Sequence, residues 1–323
     1  MKKIVIIIIL LSSLTACSQK THKNYYKYNG KDLLIEEGRF DKQKRKIGKW
    51  TKYYQDLSDT TKTESNKIRS ITTYINGIKN GKYQEFYPNG QLKREGKYKD
   101  DKIIGIWNWY SKDGILGSTK TFKDDFAIFI FFDSNGKIIQ RKEFKKSIIT
   151  NEYYYSDGQI RETTIQNLED KTKKYKSFFK NGKLKKKGDF KNGKKIGKWK
   201  QYYLNSGIQT IEDYINELSY QYLFYHTNGN LLVVGQYVDG ERNGVWKHFD
   251  NKKKLSELNT FDKGVLNGWS ESYHFNGKLE KKGNYKNGKK NGEWRYYDIY
   301  GSEKKLIMYK NGEEVYSESI IGP

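Results

Sequence analysis

Few side chains in this 323-residue chain are of types that do chemistry, and their spacing decides what they are for. There are four histidines, His22, His226, His248 and His274, and a single cysteine, Cys17. Imidazoles make a zinc site when thiols or carboxylates converge with them. His226 and His274 instead stand in the same slot of a repeat, just ahead of a turn, without such companions. They read as exposed residues flanking turns, so no metal and no cofactor is expected. The pairs Asp100-Asp101 and Asp124-Asp125 invite a glycosidase reading, because two carboxylates can divide acid and base work. Both pairs fill a slot that elsewhere holds Asn-Gly, and turn formation accounts for them. No G-x-S-x-G elbow, phosphate-cradling loop or Cys–His arrangement occurs. The expectation is a protein with no catalytic residue.

A lone cysteine excludes an intramolecular disulfide, and its position suggests another use. Lys2 and Lys3 precede an apolar run from Ile4 to Leu11, then Ser12 and Ser13, then Leu14-Thr15-Ala16-Cys17. A basic start, a short greasy segment and small residues before a cut form a secretory signal. The run is far short of the roughly 20 residues that a membrane-spanning helix needs. Leu-Thr-Ala-Cys resembles the lipobox of bacterial lipoproteins, which implies cleavage before Cys17 and acylation of that cysteine. Several acyl chains, at about 0.8 kcal/mol per buried CH₂, would anchor the chain to a membrane without embedding it. Ser18, Gln19 and Lys20 follow with no aspartate beside the cysteine, which by the same resemblance implies the outer membrane. The expected layout is a signal peptide over 1–16, a tether over 17–23, repeats over 24–316 and a C-terminal tail over 317–323.

The elements that would position any site come from a period of about 24 residues, and such a period marks an array of units leaning on their neighbours. Gly81 opens one example, and Gly244, Gly268 and Gly292 open three in succession. Two positions on stands an aromatic, as in Trp50, Tyr83, Trp107, Trp199, Trp246 and Trp294. Five positions on stands another, as in Tyr53, Phe86, Tyr110, Tyr202, Phe249, Tyr273 and Tyr297. Then comes Asn-Gly or Asp-Gly, as at Asn89-Gly90, Asn181-Gly182 and Asn276-Gly277, a signal for a tight turn whose central residues accept positive φ. A second segment follows with Leu, Gly and Tyr or Phe at one parity: Leu92, Gly96, Tyr98; Leu184, Gly188, Phe190; Leu279, Gly283, Tyr285. In a strand these share one face. A second turn closes the unit, as at Asn76-Gly77, Asn192-Gly193 and Asn287-Gly288.

Each unit thus predicts a strand of about six residues, a turn, a strand of about eight and another turn. The fold expected is all-β, an elongated array of tandem antiparallel hairpins in one long twisted sheet. Glycine inside a strand often marks close approach, so a Trp or Tyr ring from a neighbouring strand is expected over the mid-strand glycine. The pattern frays in two places. Residues 55–66 read as an insertion rich in Asp, Ser, Thr and Lys, and units over about 127–172 are degenerate, with Phe129-Ile130-Phe131-Phe132 replacing the usual opening.

The motifs G-x-W-x-x-Y-Y and N-G-x-L-x-x-x-G-x-Y-x-N-G resemble the MORN-repeat variant family, and are similar to bacterial YwqK-type antitoxins. The resemblance implies a β-hairpin scaffold for protein or membrane contact and carries no shared catalytic residue. Basic residues number 62 against 38 acidic, a formal charge of +24 that becomes 60 − 38 = +22 once Lys2 and Lys3 leave with the signal. The lysines are spread through every unit among Glu and Asp, as in Lys93-Arg94-Glu95, which reads as a solvated repeat surface. The leading expectation is a non-enzymatic scaffold, tethered to the membrane through Cys17, that binds another envelope protein. The alternatives are a binder of anionic glycan or lipopolysaccharide through interleaved Lys and Tyr, and an antitoxin or immunity protein. Nucleic acid is the weakest partner, since export removes the chain from most of it. The terminal strands leave edges free to pair with another copy, so the oligomeric state stays open.

Overall fold

The computed structural model describes residues 20–28, 31–55 and 67–320. Cys17, the signal, the Asn29-Gly30 turn and most of the insertion lie outside them. Every element among the described residues is a β-strand. The chain divides into two compact units between Asp124 and Asp125. The first holds β1 (His22–Tyr28), β2 (Lys31–Phe40), β3 (Lys46–Tyr53) and β4 (Ile68–Ile75). It continues with β5 (Ile78–Phe86), β6 (Leu92–Lys99), β7 (Lys102–Tyr110) and β8 (Leu116–Phe122).

The second unit starts with β9 (Phe126–Phe132), β10 (Ile138–Lys145), β11 (Ile148–Tyr154), β12 (Ile160–Asn167), β13 (Thr172–Phe178) and β14 (Leu184–Lys191). Next come β15 (Lys194–Tyr202), β16 (Ile208–Tyr214), β17 (Tyr220–Tyr225), β18 (Leu231–Val238) and β19 (Glu241–Phe249). It ends with β20 (Leu255–Asp262), β21 (Val265–Tyr273), β22 (Leu279–Lys286), β23 (Lys289–Tyr297), β24 (Glu303–Lys310) and β25 (Glu313–Ser319). Within each unit every strand pairs antiparallel with its neighbour in sequence, for example β5 with β6, β6 with β7, β13 with β14 and β14 with β15. The sequence-degenerate stretch over 127–172 keeps this ladder, as β9–β10, β11–β12 and β12–β13 show.

The two turns of a repeat differ, which the shared Asn-Gly signal concealed. In the turn that closes a repeat both central residues have positive φ, 52° and 80° at Asn192-Gly193 and 50° and 63° at Asp100-Asp101. That is the two-residue hairpin turn whose twist matches its strands. In the turn inside a repeat only the glycine does, with φ 87° at Gly90, and Asn89 stays in ordinary space. There Tyr87 N–H donates to the Gln91 carbonyl at 2.8 Å and Gly90 N–H to the Tyr87 carbonyl at 2.9 Å, closing a three-residue loop. The expectation that both central residues need positive φ therefore holds for one turn class and fails for the other.

The opening glycine does not start a strand. Gly292, with φ 76°, lies inside the nine-residue β23, and Gly292 and Glu293 are extra residues between the rungs Asn284↔Asn291 and Gly283↔Trp294. Such a bulge bends the strand and re-aims a side chain. Here it brings Trp294 directly opposite Gly283.

This repeated device makes the core. A Cβ on Gly38, Gly96, Gly188, Gly235 or Gly283 would fall 2.2–2.3 Å from the ring of Trp50, Trp107, Trp199, Trp246 or Trp294 respectively. The expected ring over bare backbone is present, and these indoles are at most 3% exposed. From the strand on the other side of the glycine a tyrosine meets the indole. Tyr83, Tyr175 and Tyr222 lie opposite Gly96, Gly188 and Gly235, and stack on Trp107, Trp199 and Trp246 at 5.5, 5.7 and 6.0 Å. Tyr98, Phe190, Tyr237 and Tyr285 pack edge-on against the same indoles at 4.8–5.2 Å. Offset and edge-to-face geometries of this kind contribute beyond the area they bury. Removing the glycine's side chain lets three strands share one continuous layer of rings.

Candidate binding faces

The rings define a front face, and alternation along each strand assigns the remaining residues to a back face. On the front, lysines are absorbed by the ring layer. Lys173 Nζ lies 4.2 Å above Phe190, and Lys195 Nζ lies 5.0 Å above Trp199 while bonding Glu212 at 3.0 Å. Burial alone would raise the Glu212 carboxyl. The bonds from Lys195 and the Tyr214 hydroxyl outweigh it and hold that carboxyl below its ordinary value. Tyr214 is pushed upward by burial and then by Glu212.

The back of β13–β15 is different. Between Lys171 and Lys200 the sequence holds fourteen lysines, no arginine and one acid, Asp189. Lys176↔Lys187 and Lys187↔Lys200 are direct cross-strand partners on the back face. None of these three takes part in an ion pair or a ring contact among the described residues. Lys191 and Lys194 form another like-charged rung, and Lys194 reaches Glu217 at 2.8 Å. The reading of evenly mixed lysines is therefore corrected for this segment. A local count would have found it, but the sorting into a satisfied front and an unsatisfied back needed the strand register.

The same row continues as Ile211, Leu223 and Val234 across β16, β17 and β18. Here the two-residue turn is replaced by the wider Ile215–Ser219, where Ile215 N–H donates to the Ser219 carbonyl at 2.9 Å. Ile215 is 85% exposed, Leu218 53%, Val245 48% and Val238 38%. Two shallow concavities flank the turn, of about 570 Å³ beside Val234, Val238 and Val245 and about 600 Å³ beside Lys191, Ile196 and Leu218. Val245 protrudes because it follows the bulge glycine Gly244, as Ile106, 62% exposed, follows Gly105.

The residues singled out for chemistry do not converge. Among the described residues no group of three His, Cys, Asp or Glu side chains could hold a metal. Asp101 accepts the Lys79 N–H at 2.9 Å and Asp100 the Asn80 amide at 3.1 Å, so this pair ties its turn to the start of β5. Asp124 and Asp125 are exposed bend residues. The histidines require a correction. His22 is exposed, but His226, His248 and His274 are half-buried. His274 Nε2 bonds the Tyr297 carbonyl at 3.0 Å, in the slot where the Tyr87, Tyr155 and Tyr203 hydroxyls donate to the carbonyls of Tyr110, Phe178 and Tyr225. These side chains cross-link consecutive repeats, and the shared slot was the sequence signal for it.

Residues 79–100, 171–192 and 266–287 match the family model described as MORN repeat variant. Three segments of the chain thus match that repeat. Each matched MORN segment spans one hairpin, β5–β6, β13–β14 or β21–β22, and stops at or just after the first residue of a turn that closes a repeat. The lysine-rich β13–β14 is thus one of the three hairpins that match the repeat. No curated protein matches the chain. Among solved structures, the crystal structure of TcdB2-TccC3 matches 91% of this chain and 19% of that chain, at 9% identity and a TM-score of 0.19. This chain spans about a fifth of that one, and so loose a superposition carries no argument.

Proposed function

We propose that this chain is a non-enzymatic MORN-type scaffold, tethered to a membrane through acylated Cys17, that docks another envelope protein on the back of β16–β19. The observation behind the docking surface is the cluster of Ile215, Leu218, Val238 and Val245, all exposed around two concavities and rimmed by charge. An exposed apolar cluster with a polar rim is the surface chemistry of a protein contact. Main-chain groups in the strands are already paired in the ladder, so recognition there falls to side chains. The tether rests on the lipobox resemblance of Leu14-Thr15-Ala16-Cys17.

The test is cross-linking in intact cells followed by fractionation. Wild-type chain is expected in the membrane fraction, cross-linked to one dominant partner. Ile215→Asp with Val245→Asp should fold normally, stay in the membrane fraction and lose that partner. Cys17→Ser should leave the membrane fraction. A double variant that keeps the same cross-link would remove β16–β19 as the docking surface.

A further inference from the structure

The lysine row on the back of β13–β15 costs the fold stability that nothing within the chain returns. Directly opposed side chains on neighbouring strands lie about 4.5–5.5 Å apart at Cβ, and like charges there are destabilising. Lys176, Lys187 and Lys200 occupy three consecutive rungs of this kind. Attachment points so close lie inside the screening length of about 8 Å at physiological salt, so salt screens their repulsion only in part. Six other lysines of the front and back, including Lys194 and Lys195, have acids or rings to answer them, and these three have none.

From this we infer that the back of β13–β15 is a second binding site, for a linear polyphosphate chain. Two features select that chemistry. The first is charge spacing: rungs about 4.8 Å apart and alternate residues about 6.8 Å apart along a strand suit a polymer with a charge on every unit. A densely charged chain carries condensed counterions and gains their release on binding, which a sparsely acidic peptide does not. The second is the donor type. All the cations in this segment are lysines, compact point charges, and the planar fork that arginine uses for bidentate recognition is absent. Tyr175, Phe190 and Trp199 are committed to the front layer, while the half-buried Phe178 and Tyr202 share the back with the lysines, two residues from Lys176 and Lys200. The site reads charge density rather than shape. It borders the apolar surface of β16–β19 at the rung Lys200↔Ile211, but the two are tested on different residues, so either can fail without the other.

The experiment titrates the full chain with fluorescent long-chain inorganic polyphosphate at 50 and 200 mM salt. The variant Lys176→Thr/Lys187→Thr/Lys200→Thr is compared with a control triple at scattered exposed lysines, Lys112→Thr/Lys252→Thr/Lys310→Thr. The site triple is expected to bind at least tenfold more weakly, and its slope of log affinity against log salt should shrink by about 2, from about 0.7 per contact for a flexible chain. The control triple should change affinity less than twofold. A second readout has the opposite sign. Without ligand, Lys187→Thr should raise the melting temperature at low salt, and saturating polyphosphate should raise that of the wild type. Equal weakening by both triples would overturn the site. Tighter binding of polyglutamate or of single-stranded DNA than of polyphosphate would overturn the ligand.

Discussion

The glycine beneath each buried indole is the residue on which a repeat depends. At Gly188 and Gly283 a side chain would have to occupy ring atoms of Trp199 and Trp294, since the first added carbon already lies 2.2 and 2.3 Å from them. Gly188→Val and Gly283→Val should each lower stability by about 1–3 kcal/mol, the usual cost of overpacking. A thermal melt reads this directly, and an unchanged midpoint would mean that the rings are seated elsewhere. Gly193→Ala offers a contrast, because nothing lies within 4 Å of its added carbon and only the φ of 80° resists it. The close approach was legible because Gly188 shares parity with Leu184 and Phe190 in a segment otherwise full of side chains. The indole Nε1 bonds were not legible. Trp50, Trp107, Trp199 and Trp294 each donate to the carbonyl that follows their glycine, at 3.0–3.2 Å, which depends on the bulge that aims the ring.

Between elements, repeats are joined by side chains at the turns as well as by ladders. Asn89 shows both uses: its Oδ1 accepts the Gln91 N–H at 3.1 Å within its own turn, and its Nδ2 donates to the Lys112 carbonyl at 2.9 Å in the next. His226 occupies that slot without making the bond, since its Nε2 is buried without a partner. Tyrosine fills the same slot at positions 87, 155 and 203 and makes the bond. His226→Tyr should therefore stabilise the fold by about 0.5–1.5 kcal/mol, the net value of one hydrogen bond, by reaching the Phe249 carbonyl. Denaturant titration measures it, and a lower midpoint would refute the shared-slot argument. The slot was visible in sequence as a position ahead of the turn. Its bond was not, because the accepting carbonyl lies 23 residues on and is brought there only by strand pairing.

For the molecule as a whole, its many half-buried tyrosines, on both faces of the sheet, predict a weakness in alkali. Tyr154, Tyr220 and Tyr273 are each pushed up to about 12, by burial first and then by Glu152, Tyr214 and Glu271 respectively. A phenol whose folded value lies above its unfolded value near 10 holds its proton more tightly in the fold. Its contribution is complete below pH 10 and is lost as pH rises from about 10 to 12. Melting temperature should therefore fall across that window, and Tyr273→Phe should flatten part of the fall. Carboxylates act oppositely. Glu85 is held low: burial opposes this, and bonds from Lys93 and Arg94 overcome it, so its contribution is present above the unfolded value and fades as pH drops below it.

What the amino-acid order determined alone was the strand, the turn and the ring layer. Those follow from local propensity and from a parity of two, which each regular 24-residue unit contains. Tertiary structure decided the turn classes, the bulge at each opening glycine, the partners of the histidines and the division of lysines between two faces. Each of those depends on which residues of neighbouring strands stand opposite one another, and one residue of register would turn Lys187 from the bare back of β14 into the ring layer, where lysines find partners.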